Sequence, residues 1–160
     1  MAKHKAPMTQ AIRELKSHKA EFELHPYKYE DKGGAAGAAH ALGLDEYQVV
    51  KTLVMEDENK QALLVLMHGD KEVSTKALAR AIGVKAVQPC DPKKANALTG
   101  YMVGGISPFG TKKRLPVYAE ASIMDLKPIY INAGKRGLLA SISPKALDEI
   151  LKPALVNVAL

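Results

Sequence analysis

Lys51 stands in the run Val49-Val50-Lys51-Thr52-Leu53-Val54-Met55, where Thr52 is the only other polar residue. A strand of that composition is buried on both faces. Its lysine must therefore snorkel to solvent, pair with a carboxylate or face a cavity. Two readings stay open. An edge strand uses such a lysine to discourage aggregation; a pocket floor uses it to hold a phosphate or polarise a carbonyl.

The second candidate is Gly104-Gly105-Ile106-Ser107-Pro108-Phe109-Gly110. Gly105 and Gly110 have the spacing of a phosphate-binding P-loop. Thr111-Lys112, however, inverts the required Lys-Ser/Thr order, and Pro108 removes an N–H from any phosphate nest. Ser107 fails as a nucleophile elbow, because Pro108 has no N–H to lend to an oxyanion hole. Two readings remain. The glycines form a plain turn, or they let the backbone approach a ligand and offer N–H groups to a carbonyl or developing oxyanion.

Asn132-Ala133-Gly134-Lys135-Arg136-Gly137 is a second glycine loop, either a tight hairpin or a phosphate and ribose contact through Lys135 and Arg136. Lys112-Lys113-Arg114 directly follow the first loop. Cations clustered at two glycine loops make a candidate phosphate-facing rim. The net charge of +6 favours an anionic partner in the same way. With two Phe, six Tyr and no Trp, the chain is not built as a stacking platform for single strands.

The histidines at 4, 18, 25, 40 and 68 show no ligand spacing, and Cys90 has no neighbouring Cys or His, so neither a metal nor another cofactor is expected. His25 and Tyr27 alternate along one strand and share a face. A single cysteine excludes an internal disulfide and suits a reducing compartment. Residues 1–7 are basic and expected to be flexible; no apolar region follows them, which argues against a secretory signal. The longest apolar runs, such as 62–67, fall far short of the roughly 20 residues that span a bilayer. The expectation is a cytoplasmic protein without membrane contact.

These candidates need a scaffold. Apolar residues at helical spacing predict a helix over 8–19, and 22–27 alternates as a short strand. An alanine-rich helix over 35–42 stops at Gly43. Segments 49–55 and 61–67 flank a polar turn and form the clearest hairpin. Ser74 or Thr75 caps a helix that ends at Gly83, 84–88 is a strand, and Asp91 with Pro92 opens a helix up to Gly100. A loop covers 104–114, strands follow at 115–119, 128–132 and 138–142, Ser143-Pro144 opens the last helix, and 155–160 closes as a strand. With strands outnumbering helices in irregular order, the expected fold class is α+β, a single domain over 1–160 with a mixed or antiparallel sheet.

Together the segments resemble the YbaK/prolyl-tRNA-synthetase-associated editing domain family. The resemblance runs from about residue 8 to 158. It is carried by Leu24-His25-Pro26-Tyr27, Val50-Lys51-Thr52-Leu53, the run from Thr99 to Pro108 with Lys112-Lys113-Arg114 after it, and Gly134-Lys135-Arg136-Gly137-Leu138. It implies a mixed, largely antiparallel sheet curled into a partial barrel with flanking helices. It also implies an aminoacyl-tRNA deacylase that clears mischarged tRNA, most often cysteine from tRNA(Pro), with alanine as an alternative acyl group. Prolyl-tRNA synthetase is an implied partner.

Carried across, Lys51 matches the family's essential lysine and Gly105 its acyl-pocket glycine. Tyr27, Thr52, Gly104, Ile106, Ser107, Pro108, Asn132 and Gly134 are implied to bind substrate. Lys112, Lys113, Arg114, Lys135 and Arg136 are implied to bind tRNA. Many relatives have Ser-Gly-Gly where this chain has Asn132-Ala133-Gly134, so the serine's polar role passes to Asn132.

Overall fold

The computed structural model describes residues 8–160; the segment 1–7, expected above to be flexible, lies outside the described residues. Local punctuation sets the helices. Thr9 accepts the Ile12 N–H at 3.0 Å and opens α1 (Gln10–Ser17), which buries Ala11, Ile12 and Leu15 on one face. Left-handed glycines close α2 (Gly34–Leu42), α3 (Thr75–Ile82) and α4 (Pro92–Thr99) at Gly43, Gly83 and Gly100. Ser74 and Asp91 cap α3 and α4, and Ser143 caps α5 (Pro144–Leu151).

The strands are β1 (Glu23–Pro26), β2 (Val49–Asp57), β3 (Ala62–His68), β4 (Val87–Pro89), β5 (Val117–Glu120), β6 (Ile129–Lys135), β7 (Leu138–Ile142) and β8 (Ala154–Val156). They form one sheet in the order β1-β7-β6-β2-β3-β5-β8, with β4 also on β2. Four pairings are antiparallel and three parallel, which is the mixed sheet with flanking helices that was expected. None of the helices among the described residues is long and apolar enough to cross a membrane.

Three local expectations shift. The strand expected at 84–88 is confined to Val87–Pro89, because the Lys85 and Ala86 N–H groups turn to the Glu58 carboxylate. The closing strand ends at Val156, and beyond it Ala159 makes only an isolated bridge to Val73, outside the sheet. Short 3-10 turns, too brief to show a hydrophobic period, lead from α2 into β2 at Glu46–Gln48 and from β5 towards β6 at Ala121–Asp125.

The feature that positions the site is a split in the sheet. β6 pairs with β2 only at Val49 and Val50, and β4 only from Met55 to Asp57. Between them, stretch 51–54 keeps β3 on one side and has no strand among the described residues on the other. α2 flanks the opening from one face, packing Ala38 and Ala39 on Val49 and Leu139. α4 closes the other face, with Ala95 on Val54, Leu64 and Leu115.

A buried carboxylate ties β4 and α4 to β2. Glu56 Oε1 accepts from Lys94 Nζ at 2.8 Å, and Oε2 accepts from Gln88 at 3.1 Å and Lys60 at 3.2 Å. The Lys94 bond, then those from Gln88 and Lys60, push its pKa from 4.5 down to about 2. A depressed carboxylate pKa stabilises the fold above the unfolded value, and that stabilisation is lost as pH falls through the folded one. The thermal midpoint should therefore fall between pH 4.5 and 2, with a shallower slope in Glu56→Gln, as followed by circular dichroism on melting at each pH.

Candidate active site

A cleft of about 380 Å³ occupies the split. Stretch 49–54 of β2 forms its floor, Ala35 and Ala38 of α2 and Ala95 of α4 its sides, and Val103, Gly104 and Ile106 of the loop after α4 its rim. The lining is mostly small and apolar, with Lys51, Thr52, Tyr27, Tyr29, Cys90 and Asn132 as polar exceptions. A broader groove of about 900 Å³ runs between the α1–β1 turn and α5. Its three lysines interleave with three glutamates, so it presents no field of one sign.

Lys51 is half-buried in the cleft. Both ion pairs among the described residues belong to Glu56, and Lys51 makes none. Of the fates open to a lysine in this strand, it has taken the cavity. A cation without a partner in a low-dielectric cleft is poised for an anionic or strongly dipolar ligand.

Among the expected site residues, the structure brings Tyr27, Lys51, Thr52, Gly104, Ile106 and Asn132 to this cleft. Burial keeps the Tyr27 phenol protonated, raising its pKa above 10. Asn132 is held by the loops: its amide N–H donates to Gly104 O at 3.2 Å, and its Oδ1 accepts the Gly134 N–H at 2.7 Å and the Lys135 N–H at 3.1 Å. It thereby fixes the glycine loop against the bulge between Asn132 and Lys135 in β6.

Four expected residues are elsewhere. Ser107 is buried, and its hydroxyl accepts the Phe109 N–H at 3.2 Å. Pro108 is buried beside it and absent from the cleft lining. Gly134 packs against the Tyr101 ring. Gly105, expected to offer its N–H to a substrate carbonyl, donates it instead to Met102 O at 2.8 Å, while its α-carbon lies against the Lys135–Arg136 peptide. The tight turn that admits this contact uses up the donor. Gly104 is the glycine of the pair that reaches the cleft, at a φ of 92° and close against Tyr29.

The cationic rim divides as well. Lys112, Lys113, Arg114 and Lys135 are exposed and without ion pairs among the described residues. Arg136 is held: its Nε donates to Val103 O at 2.9 Å and its guanidinium lies 5.2 Å from the centre of the Tyr29 ring.

Two polar lining residues were missed. Tyr29 sits two positions after Tyr27 and continues its alternation, a signal present in the sequence. Cys90 was weighed only for metal and disulfide chemistry, yet it lines the cleft. Burial and then the Glu56 carboxylate push its thiol up to about 11, so it remains protonated near neutral pH and is no nucleophile. No group of three or more metal-ligating side chains occurs among the described residues.

The Thr52 hydroxyl is buried and has no hydrogen-bond partner among the described residues. An unpaired buried polar group costs about 1–3 kcal/mol. Thr52→Val, which trades that hydroxyl for a methyl group, should raise stability by about 1 kcal/mol, read as a higher urea midpoint at unchanged slope.

The fold and site define a class: a small mixed-sheet domain with a ligand cleft at a split strand edge, armed with a lysine that has no ion pair among the described residues. Comparison with known proteins places it further. The aminoacyl-tRNA editing domain profile matches residues 30–150, and the chain belongs to that family. It is 34% identical over 149 residues to EbsC of Enterococcus faecalis, named as a candidate Cys-tRNA(Pro)/Cys-tRNA(Cys) deacylase, covering 92% of this chain and 91% of that protein. It is 25% identical over 124 residues to the proline–tRNA ligase of Listeria monocytogenes, 78% of this chain but 22% of the ligase. A crystal structure described as a candidate trans-editing enzyme for prolyl tRNA synthetase shares the fold, with a TM-score of 0.82 at 23% identity, covering 97% of this chain and 99% of that one.

Proposed function

We propose that this protein is a trans-editing deacylase that removes cysteine from Cys-tRNA(Pro), with Cys-tRNA(Cys) as a second substrate. The observation that carries the reading is the unpaired Lys51 ammonium inside a small, largely apolar cleft. The likeness to EbsC over nearly the whole chain supports the acyl group and the tRNA. Lys51 anchors the terminal phosphate or the ester, and the alanine and valine walls exclude large side chains by size. Lys112, Lys113, Arg114 and Lys135 meet the RNA backbone outside the cleft. The segments matched within proline–tRNA ligases fit a protein that works beside prolyl-tRNA synthetase.

An aminoacyl ester is already activated, and among the described residues the cleft offers neither a carboxylate nor a histidine as general base. The attacking group therefore comes from solvent or substrate. If water adds to the carbonyl, the ester C–O bond breaks and cysteine leaves with the water's oxygen. If the substrate's own thiolate attacks, the same bond breaks, a thiolactone forms and no water is consumed. S-methylcysteinyl-tRNA separates the two, because it is cleared only by the water route.

Deacylation of Cys-tRNA(Pro), Ala-tRNA(Pro) and Cys-tRNA(Cys) by the purified protein tests the reading. The expected order places both cysteine esters first. A methyl-sized difference in a pocket is worth about 1–3 kcal/mol, so alanine should be removed more slowly by roughly tenfold or more. Faster removal of alanine would reassign the acyl group. Binding of tRNA without turnover of any of the three would make the protein an RNA-binding accessory instead.

A further inference from the structure

The split in the sheet raises the question of where the main-chain groups of stretch 51–54 find their partners. In an antiparallel pair, alternate residues direct both their N–H and their C=O to the same neighbour. The Asp57 N–H donates to Gln61 O at 3.0 Å across the β2–β3 hairpin, so the odd-numbered residues of β2 face β3. The even-numbered residues face the other way. Val50 pairs with Ile131 of β6, and Val54 C=O accepts the Cys90 N–H at 2.9 Å. Thr52 lies between them, so its N–H and C=O both point into the opening. Neither finds a partner among the described residues. Thr52 also lines the cleft, directly after Lys51.

We propose that the aminoacyl group of the substrate supplies the missing rung of the sheet at Thr52. The inference rests on the deacylase reading above. An α-amino acid ester carries a nitrogen donor and a carbonyl acceptor on either side of one carbon, as a strand residue does. Its α-ammonium donates to Thr52 C=O while its ester carbonyl accepts the Thr52 N–H, the reciprocal pairing of two opposed antiparallel residues. When the carbonyl is attacked, the negative charge that develops falls on the oxygen already facing that N–H. The bond becomes charge-assisted and strengthens in the transition state. Thr52 thereby takes the donor role that Gly105 cannot fill.

The pairing also fixes where the acyl side chain goes. Opposed residues of an antiparallel pair place their side chains on the same face of the sheet. An L-aminoacyl group at Thr52 therefore directs its side chain to the face of Val54, among Ala95, Cys90 and Ile106, all of which line the cleft. That compartment is small and apolar and suits a thiol or a methyl group. A D-aminoacyl group would turn its side chain to the Lys51 face.

The test replaces the main-chain N–H of residue 52 by an ester oxygen, incorporating the α-hydroxy analogue of threonine and leaving the side chain intact. The same exchange at Val65, whose backbone pairs with Leu53 inside the sheet, injures the ladder equally but lies outside the cleft. Single-turnover deacylation of Cys-tRNA(Pro) should slow by about a hundredfold in the first variant, the usual cost of losing one oxyanion donor, and less than twofold in the second. Wild-type turnover by the residue-52 variant would overturn the proposal; failure of the wild type to deacylate would overturn the reading beneath it.

Should the residue-52 variant not fold, the wild type decides. Titrated with the non-hydrolysable 3′-cysteinylamino-3′-deoxyadenosine, it should show a downfield shift and slowed exchange of the Thr52 amide proton in NMR spectra. Binding that leaves that proton unmoved would sink the proposal.

Discussion

Lys51→Ala should lower single-turnover deacylation of Cys-tRNA(Pro) by at least about a hundredfold, with its folding stability within about 1 kcal/mol of the wild type. The two halves of the expectation have one cause. Lys51 forms no ion pair with any described residue, so removing its ammonium leaves no carboxylate behind without a partner. The charge is arranged for a ligand, and only the liganded state should miss it. Lys51→Met keeps most of the alkyl stem and should lose activity equally, which separates charge from packing. Lys51→Arg keeps the charge but presents a planar, wider head in a cleft walled by Ala35, Ala38 and Val50, and should not restore the wild-type rate. Rate constants with saturating enzyme, beside urea midpoints for each variant, give both quantities. A Lys51→Ala protein with full rate on every substrate would leave the cleft without its central group and the proposed function without its carrier.

The elements around Lys51 were legible because their signals are local. Ser74, Asp91 and Ser143 mark helix starts, Gly43, Gly83 and Gly100 mark helix ends, and each acts within a turn of where it stands. The β2–β3 hairpin was legible for the same reason. The split was not. That β2 leaves β6 after Val50 and meets β4 at Met55 depends on chain segments roughly 30 and 80 residues away, and no pattern within stretch 49–57 records it. Lys51 was thus legible as an anomaly and its cavity was not. Glu56 shows the converse. It reads as part of a polar turn, yet Lys94, Gln88 and Lys60 converge on it from three elements and bury it. The glycine loop was half legible. Pro108 excluded Ser107 from nucleophilic chemistry on grounds of covalent structure alone. Which of Gly104 and Gly105 would face the cleft depended on the Arg136 peptide, which only the folded chain brings near.

That peptide makes Gly105 the second position of large effect. A Cβ there would stand 2.8 Å from Arg136 N and 3.0 Å from the Lys135 carbonyl carbon, both main-chain atoms where β6 ends and the turn to β7 begins. Main chain cannot swing aside as a side-chain tip can, so in Gly105→Ala the loop must lift. Lifting strains the Arg136–Val103 and Asn132–Gly104 hydrogen bonds that hold the rim of the cleft. Overpacking of this kind costs about 1–3 kcal/mol, and in a chain of this size each kilocalorie lowers the melting midpoint by about 2–4 °C. Activity should fall further than stability. Gly104, Val103 and Ile106 line the cleft, and a displacement of about 1 Å in groups that position a reacting ester can cost about a hundredfold in rate. Gly105→Ala should therefore melt several degrees below the wild type, remain folded at 25 °C, and clear Cys-tRNA(Pro) at least tenfold more slowly under saturating enzyme. Relief should come from the other side of the contact. Arg136→Ala frees the Val103 carbonyl and lets the loop move away from the turn, so added to Gly105→Ala it should cost less stability than it does alone. Additive losses in that double-mutant cycle would mean the two sites are uncoupled and the loop is held by something other than this contact.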